Sequence, residues 1–115
     1  MYNGVIIGRL RPNVQKEEII KAFQLSDNTE LPHLIGVSRR SVFLLGDIYV
    51  HLIEAEMPLT DVLHVMKDHP LFIDVKQDLD RCVAPVTPEL YPGIAQEIYS
   101  WSADEHPAET KKVSK

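Results

Sequence analysis

Two side chains in this chain are suited to acid/base chemistry and to holding negative charge, and both fall in one short region. His51 lies in the run Asp47-Ile48-Tyr49-Val50-His51-Leu52-Ile53-Glu54-Ala55. A neutral imidazole there can accept a proton near neutral pH, because its ordinary pKa is close to the operating range. Arg40 keeps its charge at any working pH and offers several N–H donors, so it can hold an oxygen that becomes negative. Each has a plainer role too: a histidine on a strand can be a satisfied core residue, and an arginine can be an interface residue. Residue type alone leaves both open.

The elements that would position them follow from pattern. Residues 2–11, rich in Val, Ile and Leu with two glycines, predict a first strand with close backbone approaches. Asn13 is the expected N-cap of a helix running to about Leu25, with Ile19, Ile20 and Phe23 as its buried stripe. Ser26-Asp27-Asn28-Thr29 stops it. Leu31-Pro32 then leads into a second strand, Ile35 to Leu45, and Gly46-Asp47 is a two-residue hairpin signal before the His51 strand. Pro58 opens a helix with Leu59, Val62, Leu63 and Met66 on one side, and His69-Pro70 interrupts it. A second piece carries Phe72, Val75, Leu79 and Cys82. Residues 83–93, with their prolines and a glycine, predict a loop. Ile94 to Trp101 predicts the last strand, and the polar residues 102–115 a disordered tail.

The order β-α-β-β-α-β predicts an α+β fold, a ferredoxin-like antiparallel sheet with helices on one face. Residues 1–101 form its single domain. The hairpin then fixes partners: Leu45 opposite Ile48, Val42 opposite His51, Arg40 opposite Ile53, Arg39 opposite Glu54. One face collects Val37, Phe43, Leu45, Ile48, Val50 and Leu52, with an Arg39–Glu54 ion pair near its end. That face is expected beneath the helices. The other collects Ser38, Arg40, Val42, Leu44, Tyr49, His51, Ile53 and Ala55, an apolar wall with a few convergent polar groups, as in a small-molecule pocket. It is too apolar to face water, so a homodimer or a ligand cavity is expected to cover it.

Composition narrows the partners. A chain of 115 residues with a net charge of −5 and scattered basic residues points away from nucleic acid. The single cysteine, Cys82, permits no internal disulfide and sits on the apolar side of a helix, where a buried thiol is expected. No Cys/His set has zinc spacing and no Gly-rich phosphate loop follows a strand, so neither a metal nor an organic cofactor is expected. Nothing reads as a signal peptide or a membrane span, and the expected setting is the cytoplasm.

Several segments together carry a resemblance. Asp27, Thr29-Glu30-Leu31-Pro32, Ile35-Gly36-Val37, Arg39-Arg40, the whole Asp47–Ala55 run, His69-Pro70-Leu71-Phe72 and Tyr99-Ser100-Trp101 are similar in order and spacing to the tetracenomycin-type aromatic polyketide cyclases. The resemblance implies a dimeric, cofactor-free enzyme that cyclises a poly-β-ketone intermediate in antibiotic or spore-pigment biosynthesis, in association with a type II polyketide synthase. It also implies Asp27, Arg40 and His51 as the catalytic positions. Ser26, Tyr49, Val42, Ile53 and Ser38 are the expected substrate-contacting residues; relatives can carry histidine where this chain has Ser26. In the implied chemistry His51 takes a proton from a methylene between two ketones and Arg40 stabilises the enolate and the later alkoxide. Asp27 either orients His51 or acts as a second acid/base. A cofactor-free monooxygenase of a polyketide-derived phenol and a non-catalytic polyketide-binding module are the alternatives.

Overall fold

The computed structural model of the chain describes residues 1–105. The chain is α+β. It runs β1 (Tyr2–Leu10), α1 (Lys16–Asp27), α2 (Leu31–Ile35), β2 (Val37–Leu45), β3 (Ile48–Ala55), α3 (Leu59–Met66), α4 (Pro70–Cys82), β4 (Val83–Ala84) and a short 3₁₀ turn, Pro88–Leu90. The four strands form one antiparallel sheet in the order β2-β3-β1-β4.

Local chemistry accounts for most boundaries. Gly46 takes φ +60 in the two-residue turn, where a left-handed backbone favours glycine, and a side chain added there would meet nothing within 4 Å. The turn sets the β2–β3 register as expected, with Leu45 opposite Ile48, Val42 opposite His51 and Arg40 opposite Ile53. His69 caps α4 by accepting the Leu71 N–H on its Nδ1 at 3.1 Å, and Pro70 follows at the first helical position.

Several expectations need correction. α1 starts after Gln15, not Asn13; Gln15 and Glu18 form a reciprocal capping box, and Asn13 instead turns the chain at φ +68. The lead into the second strand is the short helix α2, with Pro32 in its first turn and Gly36 ending it in a left-handed conformation, so the strand starts at Val37 and not at Ile35. The fourth strand is not Ile94–Trp101. It is the two-residue β4 inside the stretch expected to be a loop, where Arg9 pairs with Ala84 and Leu10 with Val83. Pro85 stops it from growing. Ile94 makes only an isolated bridge to Ile6, with Ala95 donating to the Val5 carbonyl at 2.8 Å. Residues 103–105 form a turn, and the rest of the expected tail lies outside the described residues.

The largest correction concerns the faces of the sheet. The register is right and the assignment of its sides is inverted. Tyr49, His51 and Ile53 are 3%, 5% and 7% exposed, whereas Phe43, Leu45 and Leu52 are 53%, 79% and 40% exposed. Helices cover the side that carries Arg40 and His51, and the more uniformly apolar side is open. The first strand explains why. Gly4 pairs with Ile53, Ile6 with His51 and Gly8 with Tyr49, so both glycines lie on the histidine side. A Cβ at Gly4 would run into Leu59 of α3, and one at Gly8 would sit 2.5 Å from the Val83 side chain. The side without side chains is the side the helices can approach.

Two apolar clusters hold the layers together. Ile19 and Phe23 of α1 meet Tyr49 and Cys82, with Ile6, Val42 and Leu79 around them; Cys82 is buried and free, as expected. Leu31 and Ile35 of α2 meet Val62 and Met66 of α3, with Phe72 and Val75 of α4 beside them. Burying an aliphatic side chain of this kind contributes up to about 1.5–3 kcal/mol.

Candidate active site

Between the sheet and the helices lies a cavity of about 180 Å³, over ten times the roughly 15 Å³ a single water needs. It is too large to be a packing gap. Its wall is mostly aliphatic, with Ile53, Leu59, Val62 and Leu79 among the lining residues, and its polar groups fall into two sets.

The first set is built from three elements. Arg40 on β2 and His51 on β3 are diagonal neighbours in the register, since Arg40 pairs with Ile53 and His51 with Val42. Asp27, the last residue of α1, reaches the same point. Arg40 donates from Nε to Asp27 Oδ2 at 3.1 Å and from Nη2 to Oδ1 at 2.8 Å, a bidentate clamp that fixes the guanidinium plane. Its Nη1 lies 3.1 Å from His51 Nε2. A guanidinium can only donate, so Nε2 accepts and the proton of the neutral ring is on Nδ1. Phe23 braces both partners. Its ring meets the His51 ring edge-on at 5.0 Å, and the Arg40 guanidinium lies over it at 5.1 Å.

Electrostatics follow from this packing. Burial, and secondarily the Arg40 charge, lower the His51 pKa from its ordinary 6.5 to about 3, so the ring is neutral at physiological pH. Burial pushes the Tyr49 phenol up, only partly offset by Arg40, and it stays an O–H donor. Tyr49 and His51 stand 6.4 Å apart, centroid to centroid.

The other expected residues divide. Ser26 is buried and lines the cavity with Tyr49 and Ile53. Val42 instead packs in the cluster with Phe23 and Tyr49, and Asp27 stands behind Arg40, outside the lining. Ser38 is not at the cavity. A register irregularity between Val37 and Arg39 displaces it, and its hydroxyl lies 3.4 Å from both the backbone oxygen and a carboxylate oxygen of Glu54. Arg39 and Glu54 pair in register on the open side, yet no ion pair joins them among the described residues.

Sequence reasoning missed Phe23 as a site residue and missed the second polar set altogether. Phe23 precedes Asp27 by one helical turn, and that i,i+4 spacing was the available signal. The second set is Lys76, Asp80 and Tyr91, which line another part of the same cavity. Lys76 Nζ is 2.9 Å from Asp80 Oδ2 and 5.0 Å from the Tyr91 ring centre. Its pKa is raised, first by a hydrogen bond with Tyr91 and then by one with Asp80. Only the Lys76–Asp80 spacing was visible beforehand; Tyr91 comes from the long segment after β4. Among the described residues no group of three or more His, Cys, Asp or Glu side chains could hold a metal ion, and no helix is long and apolar enough to cross a membrane.

Comparison with known proteins finds similarity over nearly the whole chain. The polyketide synthesis cyclase family model matches residues 2–102. Tetracenomycin F2 cyclase of Streptomyces glaucescens is 36% identical over 105 residues, covering 89% of this chain and 95% of that protein. Polyketide synthase CurG of Streptomyces cyaneus is 32% identical over 108 residues, covering 90% of this chain and 100% of that protein. The solved structure of tetracenomycin F2 cyclase, described as a type-II polyketide cyclase, superposes with a TM-score of 0.78 at 35% identity, covering 90% of this chain and 99% of that one.

Proposed function

This chain belongs to the polyketide synthesis cyclase family, and we propose that it is an aromatic polyketide cyclase that closes a ring in a poly-β-ketone by an aldol-type step followed by loss of water. The observation that carries this reading is the Arg40 clamp. A guanidinium held from behind by Asp27 faces a mostly aliphatic cavity, and three of its five N–H bonds go to Asp27 and His51, leaving two for a ligand. A fixed cation in a low-dielectric cavity suits a reaction whose only developing charge is on oxygen.

The steps need no group beyond those in the cavity and water. A methylene between two ketones gives up a proton, its carbon attacks a second carbonyl, and that carbonyl oxygen becomes an alkoxide that is protonated and leaves as water. Aromatisation drives the sequence. The apolar wall folds the flexible substrate so that the two reacting carbons meet. This reading requires neither a metal nor an organic cofactor.

Two finer features belong to the same proposal. The sheet order and antiparallel neighbours support a ferredoxin-like description, and the open sheet face supports a homodimer. Each copy exposes Phe43, Leu45 and Leu52 and also carries an apolar segment with Ile98 and Tyr99 at 89% and 79% exposed. Two copies can cover one another reciprocally through a two-fold axis. Sedimentation at micromolar concentration tests the dimer, and a well-folded monomer would exclude it.

Incubating the purified protein with the poly-β-ketone product of a type II synthase tests the activity. The expected product is an aromatic compound one water lighter than its precursor, formed without oxygen uptake and in the presence of a chelator. Oxygen consumption would favour a monooxygenase, and ligand binding with no product would favour a carrier.

A further inference from the structure

We infer that His51 acts as a neutral hydrogen-bond donor, presenting Nδ1–H to a carbonyl oxygen of the bound poly-β-ketone, with its Nε2 permanently occupied by Arg40. The inference rests on reading the cavity as a cyclase site, and it goes further by assigning the ring's tautomer and the direction of its hydrogen bond.

Three features carry it. Arg40 has no acceptor atom, so its 3.1 Å contact consumes the Nε2 lone pair that proton abstraction would require. The clamp is stiff as well: turning the guanidinium away from His51 would break both bonds to Asp27. Finally, no hydrogen bond joins His51 Nδ1 to a protein group among the described residues. Among the described residues no buried side-chain nitrogen or oxygen is left without a partner, so Nδ1 is not sealed in the protein. Since His51 lines the cavity, Nδ1–H opens onto it.

The charge arrangement suits a donor. In the row from Asp27 through Arg40 to the imidazole, the guanidinium draws electron density from the ring and strengthens the N–H on its far side. A second positive charge on the ring would stand beside Arg40, and this keeps the ring neutral. A neutral imidazole that polarises a carbonyl is a known way to stabilise an enolate. In the step assigned here, water or hydroxide takes the methylene proton. The C–H pair becomes the enolate double bond, and the carbonyl π pair moves to the oxygen that accepts from Nδ1–H. The enolate carbon then bonds to the second carbonyl carbon, whose π pair becomes the alkoxide, and water supplies that proton. His51 gives up no proton at any stage.

Nitrogen-15 NMR of the labelled protein at neutral pH, without substrate, reads the ring directly. The expected result is a protonated Nδ1 and an unprotonated Nε2, with the signals assigned by their loss in His51→Gln. Kinetics give an independent measurement. His51→Asn places an amide N–H near the Nδ1 position and is expected to keep turnover within about tenfold. His51→Ala and His51→Gln, which lack that donor, should lose about 10²–10³-fold. An Nε2-protonated or doubly protonated ring overturns the inference, as does a folded His51→Asn as inactive as His51→Ala. Lack of any cyclisation by the wild-type protein would count against the cyclase reading alone, because the nitrogen shifts are read without turnover.

Discussion

The two faces of the β2–β3 hairpin are made from the same residues in alternation and have opposite fates. Phe43, Leu45 and Leu52 point to an open surface, while Tyr49, His51 and Ile53 lie under helices. The buried face is the less uniformly apolar of the two, since it carries the arginine and the histidine. Burial here follows room for approach and not hydrophobicity alone. Gly4 and Gly8 of β1 clear a path for Leu59 and Val83 on one side, and the polar groups on that side are then satisfied by one another. The open side has no such path, and its apolar surface remains exposed in a single chain.

This contrast can be broken most sharply at the two adjacent arginines. Arg40→Ala, on the covered face, is expected to lower cyclisation by about 10²–10³-fold, the scale for losing a donor to a developing oxyanion. Arg39→Ala, on the open face, should stay within a few-fold of wild type in the same steady-state assay. Equal losses would mean that the open face takes part in the chemistry. The next effect belongs to association. Phe43→Glu places a charge in the apolar open face and should weaken self-association by about 30-fold, corresponding to an interface hot spot of about 2 kcal/mol. Sedimentation velocity over a concentration series would read it, and an unchanged profile would remove the open face from the interface.

How much of this could be read beforehand depended on the range of the interaction. Gly46-Asp47 is a local signal, and from it the partners of Arg40, Val42 and His51 followed correctly. The His69-Pro70 break is equally local. The side on which the helices pack is not local, because it depends on β1, whose register against β3 places Gly4 and Gly8 beside Ile53 and Tyr49. The two glycines were noticed as close approaches without being assigned to a side. β4 was missed because two residues next to a proline carry no period. The segment 94–101 has the alternation of a strand, yet among the described residues its one β-bridge is Ile94 to Ile6. Asp27 was expected to orient His51 or to act alone; its contact with Arg40 depends on where α1 ends over the sheet, which side-chain type does not reveal.

A smaller effect sharpens the role of the glycines. Gly4→Ala should destabilise the fold by about 1–3 kcal/mol, because the new methyl meets Leu59. Asn3→Ala, one residue away and exposed, should change stability by no more than about 0.5 kcal/mol. Urea denaturation of the pair decides it, and equal stability of the two variants would mean that α3 yields to the added methyl.

A further effect is a slope with pH. The His51 pKa falls from its ordinary 6.5 to about 3 on folding, so between those values the unfolded chain binds a proton that the fold does not. Stability from the buried neutral ring is complete above about pH 6.5 and is lost progressively as the pH falls toward 3. His51→Gln removes this dependence while keeping the Asp27–Arg40 pair. The urea midpoint of wild type should therefore drop relative to His51→Gln between pH 7 and 4.5. Parallel profiles would mean that the ring is already protonated in the fold.

The place where α1 ends has a consequence for how this site can change over generations. The last turn of α1 contains no basic residue, and its final residue is itself an acid. A helix terminus of this kind gathers negative charge from its own carbonyls and from Asp27. The cation that relieves it comes from another element, as Arg40. The group that faces the cavity is thus also the fastener between helix and sheet. Under the proposed function, a change at position 40 strikes both turnover and folding, whereas aliphatic wall positions such as Leu59, Val62 and Leu79 can be resized without unfastening the helix.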